Sequence, residues 1–364
     1  MKNQLGGCNS SVCPSSTTEV SSLKTDELSD NFMQVIDLIF NCCLTQVCSL
    51  FAFCGTAVNI AVLSSYDLSR DSSAILLLAM SLADLIFCFT LPFRRCQCLV
   101  GAMMGPAQGM TVATLMTESL FVFNRLFYCI SITLVGLIAS ERFVAVFWPF
   151  QAQCILSPRN ITSATLIAYA CNLMLISPGF YLYNHDWTFS ERFNQSVAVL
   201  QMSDFYLHNY DTLNFLFTIV YNTGLLGTSM LGTLIFMPAI AIKIWAVNKR
   251  RHMLVQNKEF RFDPQLAKVL SIICLVSLTL HGPGIFFDTV AYFIPNFINQ
   301  SEIYEVYQIL ADFSGTLSAL ANFVVYMTMS GKYKHKYQKL VGEMSSRLGC
   351  WSVHDNGFIH RHSY

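Results

Sequence analysis

Charged side chains are scarce in this chain of 364 residues, of which Asp, Glu, Lys and Arg together make up only 12%. Soluble domains carry roughly 25% of such residues. Apolar residues make up 54% of the chain, and 29 residues are Phe. So few charges do not supply the polar surface of a soluble protein, and the composition therefore indicates a membrane protein.

Sequence signatures of enzymes and transporters are missing as well. The apolar stretches contain no His-x-x-x-His or Gly-x-Ser-x-Gly string, and His185, His208 and His281 are too dispersed to form a metal cluster. No internal repeat or matched pair of broken helices is visible, as many transporters would show. The sequence therefore argues against both classes.

Seven apolar stretches are each long enough, at about 20 residues, to cross a hydrocarbon core of about 30 Å. They run over 34–63, 74–98, 113–147, 161–183, 212–247, 264–294 and 303–329. This pattern predicts an all-α membrane protein with a seven-transmembrane helix bundle at 34–329, an extracellular tail at 1–33 and a cytoplasmic tail at 330–364. The first 33 residues are polar and contain no apolar run, so no cleaved signal peptide is expected.

The distribution of charge predicts which helix ends face the cytosol. Basic residues lie in three loops and in the last tail, at 64–73, 148–160, 248–267 and after 330. By the positive-inside rule these segments are cytosolic, and the more acidic loops are extracellular. The sequence therefore predicts a multi-pass protein of the plasma membrane with an extracellular N-terminus.

Glycan acceptors agree with this orientation. Asn9, Asn194 and Asn299 each begin an Asn-x-Ser tripeptide on the predicted extracellular side. A further match at Asn160 lies on the cytosolic side and is expected to stay unmodified. The three extracellular acceptors predict a glycoprotein.

The 14 cysteines divide by compartment. Cys8, Cys13, Cys96 and Cys98 are predicted to face the oxidising side, which allows one or two bridges from the N-terminal tail to the top of the second span, or none. Cys350 is either an acylation site or an ordinary tail cysteine. Eight cysteines fall inside the predicted spans and are expected to be inert packing residues, namely Cys42, Cys43, Cys48, Cys54, Cys88, Cys129, Cys171 and Cys274.

Polar residues inside the spans mark the bundle interior, because they are costly to expose to lipid. Asn59, Asp84, Ser131, Ser318 and Asn322 all fall near mid-depth on different parts of the bundle. One interpretation is a sodium site at Asp84, Ser131, Ser318 and Asn322, since small hard cations prefer oxygen ligands. The other is a hydrogen-bonded network around a protonated Asp84 that only packs the helices. No other cofactor is expected.

These residues, together with several others, carry a resemblance to the rhodopsin-like (class A) G-protein-coupled receptors, which extends over all seven spans. The resemblance rests on Asn59, Leu82-Ala83-Asp84, Glu141-Arg142-Phe143, Pro149, Pro178, Pro238, Pro283 and Asn322-Phe323-Val324-Val325-Tyr326. Phe323, where most of the family has proline, resembles invertebrate neuropeptide receptors of the FMRFamide and myosuppressin kind. The segment from Gly331 to Leu340 is similar to the family's short amphipathic eighth helix, with Tyr333 and Tyr337 on its apolar side.

The chain also departs from the family at several positions. The family's disulfide between the third span and the second outer loop lacks both partners, because Thr117 stands in the span and residues 184–211 contain no cysteine. The outer loop therefore needs another constraint or is mobile. His281 replaces a tryptophan before Pro283, and Ala246 replaces a tyrosine of the fifth span. Activation is then inefficient or uses different side chains.

The resemblance implies an activation switch. Arg142 is held by Glu141 at rest and is released when the cytosolic ends of the fifth and sixth spans move outward. Pro283 removes a backbone hydrogen bond and provides a hinge. His281 either makes this motion sensitive to pH or is a hydrogen-bonded core residue. Asn322 and Tyr326 complete the switch residues that the family supplies.

The motion would open a cleft for a helix of a heterotrimeric G protein. Lys249, Arg250 and Arg251 would line its rim, although the positive-inside rule alone also places basic residues there. Membrane lipid is the other expected partner, and no nucleic acid is expected.

The ligand class is predicted from the outer half of the bundle. Asn124 stands where amine receptors of this family carry aspartate, and the last span has no lysine for a retinal Schiff base. Arg125, Asp288 and Asp312 favour a peptide, for example one with an amidated basic end that pairs with an aspartate. Alternatively, Arg125 pairs with Glu118 or Asp312 and these residues are structural.

Two other roles on the same fold stay open. The chain could be a chemosensory or other odd-ligand receptor, or a decoy that does not signal. The missing tryptophan and tyrosine favour a decoy. The presence of Asp84, Arg142, Asn322 and Tyr326 opposes it, because a decoy has little reason to keep all four.

Overall fold

The computed structural model describes residues 35–67, 71–253, 264–294, 301–329 and 331–347. Within these ranges, 7 helices are long and apolar enough to cross a membrane. The predicted seven-helix bundle is confirmed. The membrane-spanning segments are Leu38–Leu63, Ser72–Met104, Pro106–Phe147, Pro158–Tyr181, Tyr210–Ala246, Val269–Phe293 and Val306–Met329.

The main helices are labelled in chain order. They are α1 (Thr45–Leu63), α2 (Ser72–Arg94), α3 (Pro106–Phe147), α4 (Pro158–Ile176), α5 (Thr228–Met253), α6 (Pro264–Phe293), α7 (Ser301–Met329) and α8 (Gly331–Arg347). Two π-helical segments, Asp37–Leu44 and Phe215–Gly227, lead into α1 and α5. Shorter helices extend or connect these elements at Gln97–Met104, Pro149–Ile155, Ser177–Tyr181, Asp204–His208 and Tyr210–Asn214.

Polar caps and prolines determine where several helices begin. Asp71 Oδ1 accepts a hydrogen bond from the amide of Ala74 at 3.2 Å, which caps α2. α3 begins at Pro106 behind Gly105, whose φ of 105° is one that glycine adopts without strain. The predicted start of the third span at 113 is therefore wrong, because hydropathy marks the part of a helix inside lipid and not its end.

Two glycines allow the helices of the bundle to approach closely. A Cβ atom built on Gly136 of α3 would lie 2.8 Å from Cβ of Ser229 in α5. A Cβ atom on Gly55 of α1 would lie 2.9 Å from Cγ of Phe323 in α7. Phe323, the residue that departs from the family's proline, thus packs against a glycine that makes room for its ring.

Gly55→Ala is expected to destabilise the bundle by about 1–3 kcal/mol, because the added methyl group overpacks the contact with Phe323. Thermal unfolding of the purified protein, followed with a thiol-reactive dye that detects the buried Cys88, Cys129 and Cys274, measures the loss. Gly342→Ala in α8 is the control, since no atom lies within 4 Å of its added Cβ. If the stability losses of Gly55→Ala and Phe323→Ala simply add in the double variant, the two residues are not energetically coupled.

A β-hairpin covers the end of the bundle that is predicted to be extracellular and supplies the constraint that the missing disulfide does not. Strands β1 (Tyr183–Ser190) and β2 (Gln195–Met202) pair antiparallel, with Tyr183 opposite Met202. Ala198 of β2 is fully buried against α3. Its carbonyl accepts a hydrogen bond from Thr114 Oγ1 at 3.1 Å, and its amide donates to Thr111 Oγ1 at 3.4 Å. Hydrogen bonds to the extended outer end of α3 therefore hold this loop.

A disulfide between Cys42 and Cys98 joins the start of the first span to the helix that follows α2, with the Cα atoms 5.7 Å apart. The expectation that Cys42 is an inert thiol is therefore wrong, as is the expectation that Cys98 pairs with the N-terminal tail. Cys42 lies at the outer end of its helix, level with Cys98, which the length of the apolar stretch did not reveal. Cys96 is a buried free thiol, and Cys8, Cys13 and Cys350 lie outside the described residues.

At the opposite end of the bundle from the hairpin, α8 inserts a tyrosine between the helices. Tyr333 is 1% exposed, and its hydroxyl donates to Asn59 Oδ1 at 2.6 Å. Its ring stacks on Tyr326 of α7 with the centroids 5.5 Å apart. Burial raises the pKa of Tyr333, which keeps the hydroxyl protonated as a donor. The prediction of Tyr333 as part of a membrane-surface stripe is wrong, because it anchors α8 to α1 and α7.

Candidate ligand pocket and activation switch

A cavity of about 480 Å³ lies among the outer halves of the helices, beneath the hairpin. Its walls come from α3, the end of α4, the π-helical lead of α5, α6 and α7, together with both strands of the hairpin. Most of the lining is apolar or aromatic. The lining residues include Phe121, Val122, Arg125, Ile176, Tyr183, Met202, Tyr206, Tyr210, Phe217, Tyr221, Asp288, Tyr292 and Gln308.

An ion pair crosses this cavity between α3 and α6. Arg125 Nη2 lies 3.3 Å from Asp288 Oδ2, and the guanidinium also lies over the ring of Tyr128, 5.2 Å from its centroid. The interpretation that Arg125 pairs with Glu118 or Asp312 is therefore wrong. Glu118 instead contacts Nδ1 of His185 in the hairpin at 2.6 Å.

Asp312 of α7 is bound by two arginines at the end of α2. Arg94 Nη2 and Arg95 Nη2 both contact Asp312 Oδ2, the latter at 2.6 Å, and Arg95 Nε donates to the same oxygen at 2.9 Å. The carboxylate is thus satisfied within the protein, which contradicts its expected role as a partner for a basic ligand. Sequence reasoning missed Arg94 and Arg95, although two adjacent cations inside an apolar stretch were a signal for them.

Asn124 faces α2 and not the larger cavity. Its side-chain amide donates to the carbonyl of Phe87 at 3.2 Å and to Thr90 Oγ1 at 3.1 Å. Asn124 is 3% exposed. It therefore ties α2 to α3, and its predicted contact with a ligand stays a prediction.

The polar residues at mid-depth meet around Asp84. Ser131 Oγ donates to Asp84 Oδ1 at 2.6 Å, and Asn322 Nδ2 donates to Asp84 Oδ2 at 3.0 Å. Ser318 is buried on the same helix as Asn322, but no hydrogen bond joins it to Asp84. Asn59 lies outside this network, because it pairs with Tyr333. α3 and α7 thus each donate one hydrogen bond to this buried carboxylate.

Near the C-terminal end of α3, Arg142 lies against Glu141. Arg142 Nε donates to Glu141 Oε2 at 2.7 Å, and its Nη2 donates to Oε1 at 3.0 Å. Ser73 Oγ of α2 donates to the same Oε1 at 2.9 Å and also contacts Arg142 Nη2. Both charged side chains are buried. The guanidinium is therefore held against its own helix and α2.

His281 and Pro283 lie within α6, as predicted from the sequence. His281 is 3% exposed, and its Nδ1 forms a hydrogen bond of 3.0 Å with the hydroxyl of Tyr128 in α3. This contact fits the interpretation of a hydrogen-bonded core histidine. It links the segment next to the proline directly to Tyr128, which follows the cavity-lining Arg125 by three residues in α3.

Several predicted residues lie at or beyond the limits of the described chain. Lys249, Arg250 and Arg251 belong to α5, but their side chains are outside the described part. Asn9 and Asn299 also lie outside the described residues. Asn194 is exposed in the turn of the hairpin, where its φ is 51°.

Seven spanning helices around a buried Asp84, with an arginine–glutamate pair at the inner end of α3, define the class of seven-helix membrane receptors. The family model described as 7 transmembrane receptor (rhodopsin family) matches residues 55–326, so the chain belongs to the rhodopsin family of receptors. No curated protein matches the chain. The family is one of signalling receptors and not of enzymes, and its members have extracellular ligands and G-protein partners. The match does not distinguish between ligand types.

Proposed function

We propose that this receptor lies in the plasma membrane with its N-terminus outside, binds an extracellular peptide and activates a heterotrimeric G protein. Family membership supports a signalling receptor. The peptide is supported by the cavity of about 480 Å³ beneath the hairpin, which falls within the usual range of about 300–1,000 Å³ for ligand sites. Its tyrosines offer apolar faces and polar tips, as peptide side chains require.

The pair of Arg125 and Asp288 supports an amidated peptide end. A terminal carboxamide has N–H donors for the Asp288 carboxylate and a carbonyl that accepts from the Arg125 guanidinium. The two charged groups, 3.3 Å apart, present both functions within one cavity. Asp288 and Asp312 were the two aspartates predicted to bind a basic group of the ligand. Because Asp312 is already bound by Arg94 and Arg95, Asp288 is the one that we propose for this role.

A panel of G-protein biosensors tests this function in cells that display the receptor. Amidated peptides and their free-acid counterparts are applied to the wild type, to Asp288→Asn and to Asp186→Asn, an exposed hairpin residue that serves as the control. An amidated peptide is expected to activate the wild type, and Asp288→Asn is expected to lower its potency by about tenfold or more, since a charge-assisted hydrogen bond contributes about 1.5–3 kcal/mol.

The outcomes separate the alternatives. Activation by free-acid and amidated forms at equal potency would rule out the carboxamide contact. Silence of a well-displayed wild type toward all peptides would favour a chemosensory ligand or a decoy, because Ala246 and His281 already depart from the family.

We also propose that Asp84, Ser131, Ser318 and Asn322 hold a sodium ion. A buried carboxylate beside the Ser131 hydroxyl and the Asn322 side-chain amide suits a small hard cation, and an ion would supply a positive charge next to Asp84. Sodium is expected to raise the melting temperature of the purified receptor by roughly 2–4 °C over N-methylglucamine at equal ionic strength, and Asp84→Asn is expected to remove this difference. An equal response of Asp84→Asn and wild type would eliminate the site.

Asn194 is proposed as a glycosylation site, because it is an exposed turn residue within Asn-Gln-Ser on the hairpin. Treatment with a peptide-N-glycosidase is expected to shift the receptor on a gel, and Asn194→Gln is expected to reduce that shift. A glycan at Asn194 also fixes the hairpin on the extracellular side. An unchanged shift in the variant would assign the glycans to other acceptors.

A further inference from the structure

A second, smaller cavity lies next to the ligand pocket, between α2, α3 and α7. Its volume is about 10 Å³, which is about the room of one water molecule. Its charged walls are Arg94, Arg125 and Asp312, and its other lining residues are Asn124, Gln308, Phe87, Phe121, Tyr128 and Ala311. Phe121 and Arg125 line the ligand pocket as well, so the two cavities adjoin.

Positive charge exceeds negative charge around this small cavity. Arg94 and Arg95 share the single carboxylate of Asp312, and Arg125 pairs with Asp288. Among the described residues at these contacts, three guanidinium groups therefore face two carboxylates. One positive charge in a largely buried cluster is left without a counter-charge, which is unfavourable in a medium of low dielectric constant.

Arg94 also has a hydrogen-bond donor that the described residues do not satisfy. Its side chain is 6% exposed, and its Nε is a buried atom for which the described part of the chain offers no acceptor. A buried guanidinium N–H without an acceptor is costly. The unsatisfied donor belongs to the same arginine that lines the small cavity.

We infer that the cavity between Arg94 and Arg125 binds one monovalent anion. The anion supplies the missing negative charge and an acceptor near Arg94. The guanidinium groups are held by aromatic rings, with Arg94 Cζ 5.6 Å from the centroid of Phe121 and Arg125 Cζ 5.2 Å from that of Tyr128. The small volume selects a halide ion or a single carboxylate oxygen over a tetrahedral oxyanion. Chloride from the medium and a carboxylate group both provide a small negatively charged acceptor. The inference does not depend on the nature of the receptor's ligand.

Thermal unfolding of the purified full-length receptor, without ligand or G protein, tests the site. Sodium methanesulfonate is replaced stepwise by sodium chloride or by sodium acetate, so that sodium and ionic strength stay constant. Chloride is expected to raise the melting temperature of the wild type by roughly 2–4 °C in a saturable manner. Arg94→Gln is expected to lose this response, and Arg94→Lys, which keeps the charge, is expected to retain part of it.

Arg192→Gln is the matched control, because Arg192 is exposed at the tip of the hairpin and is expected to respond as the wild type does. Saturation by chloride alone identifies a halide site. Saturation by acetate at a lower concentration than chloride identifies a carboxylate site. Its natural occupant is then a carboxylate group of a ligand or of the chain itself. The inference is overturned if neither anion changes the wild-type melting temperature, or if Arg94→Gln responds as the wild type does.

Discussion

Glu141→Gln is expected to raise G-protein activation in the absence of ligand by roughly tenfold, and Arg142→Ala is expected to abolish activation altogether. Glu141 accepts two hydrogen bonds from the Arg142 guanidinium, at 2.7 and 3.0 Å, and Ser73 Oγ accepts a third. Removing the carboxylate's charge weakens this buried pair, and a change of about 1.4 kcal/mol in the balance of resting and active states is a tenfold change in population.

The loss in Arg142→Ala has a separate physical reason. Once released, the Arg142 guanidinium is a cation with several hydrogen-bond donors at the end of α3. It can donate to the carbonyl groups at the C-terminus of a G-protein helix that inserts there. Alanine offers neither charge nor donor. Activation is therefore lost even in the double variant Glu141→Gln/Arg142→Ala.

Basal activation is measured in cells that express biosensors for the G-protein subtypes, with no ligand added. Surface display is matched by antibody labelling, and Arg159→Ala, an exposed arginine at the start of α4, is the control for loss of cytosolic charge. Normal activation by Arg142→Ala at equal display would contradict the switch. Unchanged basal activity in Glu141→Gln would show that the pair does not restrain the resting state.

Asp312→Ala is expected to destabilise the receptor by about 3–5 kcal/mol, because it leaves buried arginines without their counter-charge. Arg94 is 6% exposed, and both Arg94 and Arg95 make their ion pair with this one carboxylate. Destabilisation of this size is expected to lower the melting temperature by roughly 6–20 °C and to retain much of the receptor inside the cell. Surface labelling and thermal unfolding in detergent measure the two effects.

A triple variant separates the charge effect from simple loss of packing. Asp312→Ala combined with Arg94→Leu and Arg95→Leu removes the whole cluster, and apolar replacement of a buried ion cluster is often close to neutral. Recovery of display is therefore expected. Asp211→Ala, an exposed acid at the outer start of the fifth span, is the control. Equal display of Asp312→Ala and Asp211→Ala would refute a structural role of the cluster.

Much of the fold followed from the sequence, whereas much of the outer site did not. The apolar stretches located all seven spans, and the motif residues around Asp84 and Arg142 came together as neighbours in space. In the half of the bundle beneath the hairpin, the partners predicted for Arg125 and Asp312 were wrong. Their side chains lie on different helices, and the rotation of each helix about its axis decides which groups meet. Periodicity within one helix does not contain that information.

By itself, the sequence determined the class of protein, because crossing a membrane requires only local length and apolarity, and because Glu141 and Arg142 are adjacent in the chain. Only the tertiary structure decided the pairing of Arg94 and Arg95 with Asp312, which are 218 and 217 positions away. It also decided the Cys42–Cys98 bridge and the contact of Tyr333 with Asn59. Such contacts depend on how whole helices pack, since a buried charge or donor takes whichever partner the assembled bundle brings within reach.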